Sequence, residues 1–129
     1  MAIFIIIVIS LLGASLMSLQ RNSAESTSYE VYAARASLAA YSASEIALMK
    51  LFPLGTSEAV ATNCSETAET VTLPDDNKTA GFHGCKAVYS CSIISSATIT
   101  RYQITSTATC ANNQITTRRQ LRVEATNIE

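Results

Sequence analysis

The first nineteen residues, Met1 to Leu19, carry no charged side chain and consist mainly of Ile, Leu, Val, Met and Ala. Nothing else in the chain limits its fold so strongly. Their polar side chains are serines, whose hydroxyls can bond back to a carbonyl one turn earlier. The Ile- and Val-rich run favours a strand on propensity alone. In an apolar setting an isolated strand would leave its backbone groups unpaired, so a helix is the expected form. Nineteen helical residues rise roughly 28 Å, close to the roughly 30 Å hydrocarbon core of a bilayer. A secretory signal would place basic residues before a shorter apolar core. No basic residue precedes this run, so it is expected to be a lasting part of the protein. The rest of a 129-residue chain is too small to wrap such a helix in a soluble core.

Residues 20–52 contain neither Gly nor Pro, and the first breaker is Pro53. The helix is therefore expected to end near Leu51 or Phe52. Only Asn22–Ser28 is weak, because its Ser, Thr and Asn side chains compete for local backbone bonds; fraying, a kink, or a second helix with Ser28 as its cap stay open there. The expected element covers 1–52, with 1–19 as membrane or filament core and 20–52 amphipathic. Val31, Ala34, Leu38, Tyr41, Leu48 and Phe52 form an apolar stripe at helical spacing, expected to face the packed side. Glu45 falls on or beside that stripe. Two readings stay open for it: an ion pair with a basic residue of an adjacent copy, or a partly solvated place at the helix–sheet seam. A helix on the order of 78 Å long cannot be covered by a domain of this size. Lipid or further copies must bury part of it.

Residues 53–129 are expected to form a small, disulfide-stapled β domain. The stretch 54–77 is rich in Thr, Ser, Glu and Asn and reads as a loop. Period-two alternation then runs over 85–93, 98–110 and 115–125, with Thr, Ile, Val and Tyr prominent. Short turns near Ser95-Ser96 and Ala111-Asn112-Asn113 predict a three-stranded antiparallel meander against the helix. Four cysteines in such a thin domain predict disulfides formed outside the cytosol. A tight hairpin around 96–98 sets Cys85 opposite Cys110 and leaves Cys64 for Cys91. The two other connectivities stay open. Arg21 alone would draw the residues after it toward the cytoplasm, but the cysteines favour the opposite orientation.

Signals for chemistry are weak. His83, Cys85 and Cys91 match no strong zinc spacing, and the cysteines have a better use as disulfides. Asp75, Asp76 and Asn77 supply three oxygens on what reads as a solvated turn rather than a calcium loop. Asn63-Cys64-Ser65 and Asn77-Lys78-Thr79 are formal glycosylation sequons, short enough to occur by chance. Arg118, Arg119 and Arg122 form either a small anion- or partner-binding patch or a solvated strand face. A formal charge of -1 provides no basic face for nucleic acid. No phosphate loop or nucleophile elbow is present. Neither catalysis nor a cofactor is expected.

The opening Ala2-Ile3-Phe4-Ile5-Ile6-Ile7-Val8, with Leu11-Leu12-Gly13-Ala14, resembles the start of type IV pilins and the related pseudopilins. Ala33-Ala34-Arg35-Ala36-Ser37-Leu38-Ala39-Ala40, running into Glu45, and Tyr102 to Ala108 followed by Cys110 extend the likeness. It looks closest to MSHA-type minor pilins and the broader PilX-like group. The resemblance implies an α+β, pilin-like fold in which a long N-terminal helix packs on a small antiparallel sheet. It implies a subunit that rests in the bacterial inner membrane and then joins an extracellular helical filament of identical or related pilins. Phe4, Ile5, Val8, Leu12, Gly13, Ala14 and Leu16 would pack helix against helix there. Met1 would be the processed terminus or lie just beyond it. Most pilins carry a glutamate in the first turns, whereas the first acidic residue here is Glu25. That departure implies either a changed assembly register or a minor or tip subunit, and whether the subunit is major or minor stays open. An anchored binding module and a secretion pseudopilin are the alternatives.

Overall fold

The computed structural model describes the chain apart from residues 1, 57, 75–80, 97–98 and 127–129. Side chains of residues 2, 18–22 and 24–25 are also outside the description. Helical backbone is assigned over Ala2–Leu51 (α1), yet the compact units part inside it, into Met1–Val31 and Tyr32–Glu129. The expectation of one long N-terminal helix is corrected here. The helical stretches that stand out are 3–17 and 26–51, the second beginning inside the weak Asn22–Ser28 segment. There Thr27 Oγ1 donates to the Ser23 carbonyl at 2.9 Å, the local competition that its composition predicts. Among the described residues, no helix is long and apolar enough to cross a membrane.

In the first unit Ser10 Oγ donates to the Ile6 carbonyl at 2.8 Å, so its hydroxyl is satisfied within the helix. The apolar side chains around it stay exposed.

The second unit holds a four-stranded antiparallel sheet in the order β1–β2–β3–β4, over Glu69–Val71, Cys85–Ser95, Thr100–Ala111 and Thr116–Thr126. Three strands were expected. The added β1 lies in the Thr- and Glu-rich stretch read as loop, where three residues are too few to show a period. The ladder between β2 and β3 sets Cys85 opposite Cys110, and that between β3 and β4 sets Cys110 opposite Thr117. Disulfides join Cys64 to Cys91 and Cys85 to Cys110.

The helix in this unit buries Ala36, Ala39, Ala40, Ala43, Ala47 and Leu51 against Ala87, Tyr89, Tyr102, Ile104 and Ala108 of the sheet. Alanine lets the helix come close, and the tyrosines and Ile104 fill the gap with few voids. Phe52 closes the end of the core edge-on to Tyr102, with ring centroids 6.2 Å apart. The expected stripe is therefore also corrected. Leu48 and Phe52 are half-buried, but Val31, Leu38 and Tyr41 are exposed. Large side chains on the buried face would hold the helix away from Tyr89 and Tyr102, so the small-residue face wins the contact. The helix ends at Leu51 ahead of Pro53. Its last carbonyls are capped from the following loop: Asn63 Nδ2 donates to Lys50 O at 2.8 Å and Val60 N to Leu51 O at 2.8 Å.

Candidate functional site: exposed apolar helix surfaces

The first unit presents eleven large apolar side chains between Ile3 and Met17, each 39–75% exposed. They include the expected packing residues Phe4, Ile5, Val8, Leu12 and Leu16. They point to every side of the helix, as adjacent positions 3–9 must at about 100° per residue. Gly13 lies among them, with no atom within 4 Å of where a Cβ would sit. Ala14 is exposed beside it. Monomeric proteins rarely leave so large an apolar surface uncovered.

The second unit has a smaller surface of the same kind. Ala34, Leu38, Tyr41, Glu45 and Met49 recur at spacings of three and four, which puts them on one side of the helix. The alanine face that meets the sheet is on the other side. Leu38 is 61% exposed, Tyr41 58% and Met49 66%. Glu45 is exposed in the middle of this stripe. The seam reading of Glu45 is thus corrected: it faces away from the sheet, because the stripe it belongs to turns outward. Among the described residues it forms no ion pair.

A polar clamp lies where the helix end meets the sheet. Lys50 Nζ donates to Glu69 Oε2 at 2.8 Å and to Tyr89 Oη at 2.9 Å, while the Tyr89 hydroxyl donates to the same Glu69 oxygen. Hydrogen bonds from Lys50 and then Tyr89 hold the Glu69 carboxyl below its ordinary range. The bonds to Glu69 and then Tyr89 raise Lys50 above its ordinary value. For Tyr89, partial burial is the main cause of an upward shift, followed by the bond to Glu69. Sequence reading missed this trio. The one available signal was Tyr89 on the inward parity of its strand, a buried hydroxyl that needs a partner.

Other expected residues are dispersed. Cys85 and Cys91 are oxidised, in different disulfides, and no group of three metal-capable side chains occurs among the described residues. Asp75, Asp76 and Asn77 lie outside the described residues, as does the side chain of Glu25. Arg118 and Arg122 share the outer face of β4, whereas Arg119 sits on the opposite parity facing the helix side, so the three do not make one patch. Asn63 of the first sequon is engaged in capping the helix. In comparisons with known proteins, the chain matches no family model, no curated protein and no solved structure.

Proposed function

We propose that the chain is a structural subunit of a type IV pilus-like extracellular filament, packing against its own copies or sister pilins through the apolar helical residues 3–17. One observation carries this reading: the eleven exposed large apolar side chains of that segment. Fully burying a Leu, Ile or Phe side chain contributes about 1.5–3 kcal/mol. Covering half of these would contribute on the order of 10 kcal/mol. That is comparable with the association cost of roughly 4–15 kcal/mol, and a subunit in a filament meets several neighbours at once. The outward stripe of Leu38, Tyr41 and Met49 adds a second contact surface in this reading, with Glu45 available to a basic residue of the neighbour. Before assembly the same apolar residues would rest at the inner membrane. The two disulfides favour a place for the sheet outside the cytosol. No catalytic role is part of this reading.

Gly13→Leu is the direct test. A Cβ at that position meets nothing within 4 Å beyond the helix's own backbone, so the substitution is expected to act through contacts with a neighbour. Negative-stain microscopy of cells making the variant is expected to show few or no filaments, while the purified protein keeps its disulfides and strand content. Normal filaments would remove the packing role.

A further inference from the structure

We infer that the second unit binds a neutral, hydroxyl-rich ring, such as one residue of a saccharide, in a cleft between Tyr32, His83 and the β3–β4 turn. The cleft is an open depression of about 540 Å³, lined by Tyr32, His83, Ala111, Asn112, Asn113 and Gln114. That volume is within the range of roughly 300–1,000 Å³ of small-molecule sites.

Its walls are built rather than incidental. Asn112 Oδ1 accepts the backbone N–H of Gln114 at 2.9 Å and of Ile115 at 2.6 Å, which fixes the turn. Asn112 Nδ2 then donates to Tyr32 Oη at 3.1 Å and ties the turn to the helix. On the other side Ala111 N donates to Gly84 O at 2.9 Å. Gly84 has φ +73°, and a Cβ there would come within 2.5 Å of Ala111 O, so only glycine allows this approach. The neighbouring Cys85–Cys110 disulfide staples the two walls together.

The lining chemistry selects the ligand class. Among the described residues, the side chains of His83, Asn113 and Gln114 make no hydrogen bond of their own. A carboxamide offers a donor and an acceptor side by side, and neutral imidazole offers one of each. Neighbouring hydroxyls on a sugar ring need that mixture, since each both donates and accepts. Tyr32 Oη accepts from Asn112 and keeps its own hydrogen to give. The Tyr32 ring and Ala111 supply apolar surface for the C–H face of a ring. Among the described residues, neither a carboxylate nor a Lys or Arg lines the cleft, so they offer no fixed charge to recognise an ion. Arg35 is close by, with its guanidinium carbon 5.6 Å from the Tyr32 ring centre, which makes an anion the competitor to exclude.

The test is an NMR titration of the full, isotope-labelled chain in detergent with methyl glucoside, methyl galactoside, N-acetylglucosamine and, separately, inorganic phosphate. At least one sugar is expected to give saturating shifts confined to residues 32, 83–84 and 111–114, with no matching response to phosphate. Asn113→Ala combined with Gln114→Ala removes two exposed carboxamides that the fold does not use. It is expected to weaken binding roughly thirtyfold, at about 1 kcal/mol for each of two lost hydrogen bonds, with an unchanged melting temperature. His83→Ala is the second variant, expected to weaken the same sugar. Saturation by phosphate alone, shifts scattered over the surface, no saturation by any sugar, or undiminished binding by the variants would each overturn the inference. None of these results bears on filament assembly, which depends on other residues.

Discussion

Lys50, Glu69 and Tyr89 show how three side chains, far apart in sequence, join the helix end to two strands. Each pair is hydrogen-bonded, and Lys50 and Glu69 remain about half exposed, so salt screens much of the attraction. The shifts nevertheless give a definite pH pattern. Glu69 binds its proton less readily in the folded state than in the unfolded chain, whose ordinary value is 4.5. Its contribution is thus present above pH 4.5 and lost as pH falls through the lower folded value. Lys50 and Tyr89 are raised from 10.5 and 10.0. What they contribute is present below those values and lost as pH rises through the higher folded ones. Glu69→Gln is expected to remove the acid-side part. Urea midpoints at low salt should separate from those of the native chain above pH 4.5 and converge with them below it. Parallel curves across the acid range would show that the clamp does not couple to stability. None of this was legible from the sequence, because the partners lie 19 to 39 residues apart and only tertiary packing brings them together.

At the scale of the elements, the helix of the second unit has two apolar faces with different side-chain sizes, and size decides which one is buried. The alanine face reaches the sheet; the Leu38–Tyr41–Met49 face does not. Enlarging the buried face is therefore expected to cost more than making the outer one polar. Ala43→Leu should destabilise the unit by about 1–3 kcal/mol through overpacking. Leu38→Ser should stay within about 0.5 kcal/mol. Chemical denaturation of the two variants measures this, and equal losses would contradict the assigned orientation. Sequence periodicity located the helix end at Pro53 and three of the strands, since those follow from local chemistry. It put the larger apolar residues inward, because hydrophobicity ranks Leu and Tyr above Ala without regard to the space available. Strand β1 stayed hidden for a different reason: its partner is β2, and three residues alone carry no pattern.

For the whole molecule, a core made largely of Ala, Ser and Cys buries little area per residue, and the disulfides offset that shortfall. Replacing Cys64 and Cys91 together with serine opens a loop with a sequence separation of 27. It is expected to lower stability by about 3.5 kcal/mol on chain-entropy grounds, read as a shift of the guanidinium midpoint. A shift within error would mean that the sheet holds without that staple. What the sequence by itself determined was local: an uncharged apolar opening segment, a helix stopped by proline, alternating strands, and cysteines at parities that let Cys85 meet Cys110. These are set by side-chain polarity and backbone chemistry over a few neighbouring residues. Only the tertiary structure decided that the compact units part after Val31, that Glu45 and its stripe face outward, and that Tyr32, His83 and Asn112 border one cleft. Each of those depends on which surfaces fit closely enough to exclude water, a property of pairs of elements that no single stretch of sequence contains.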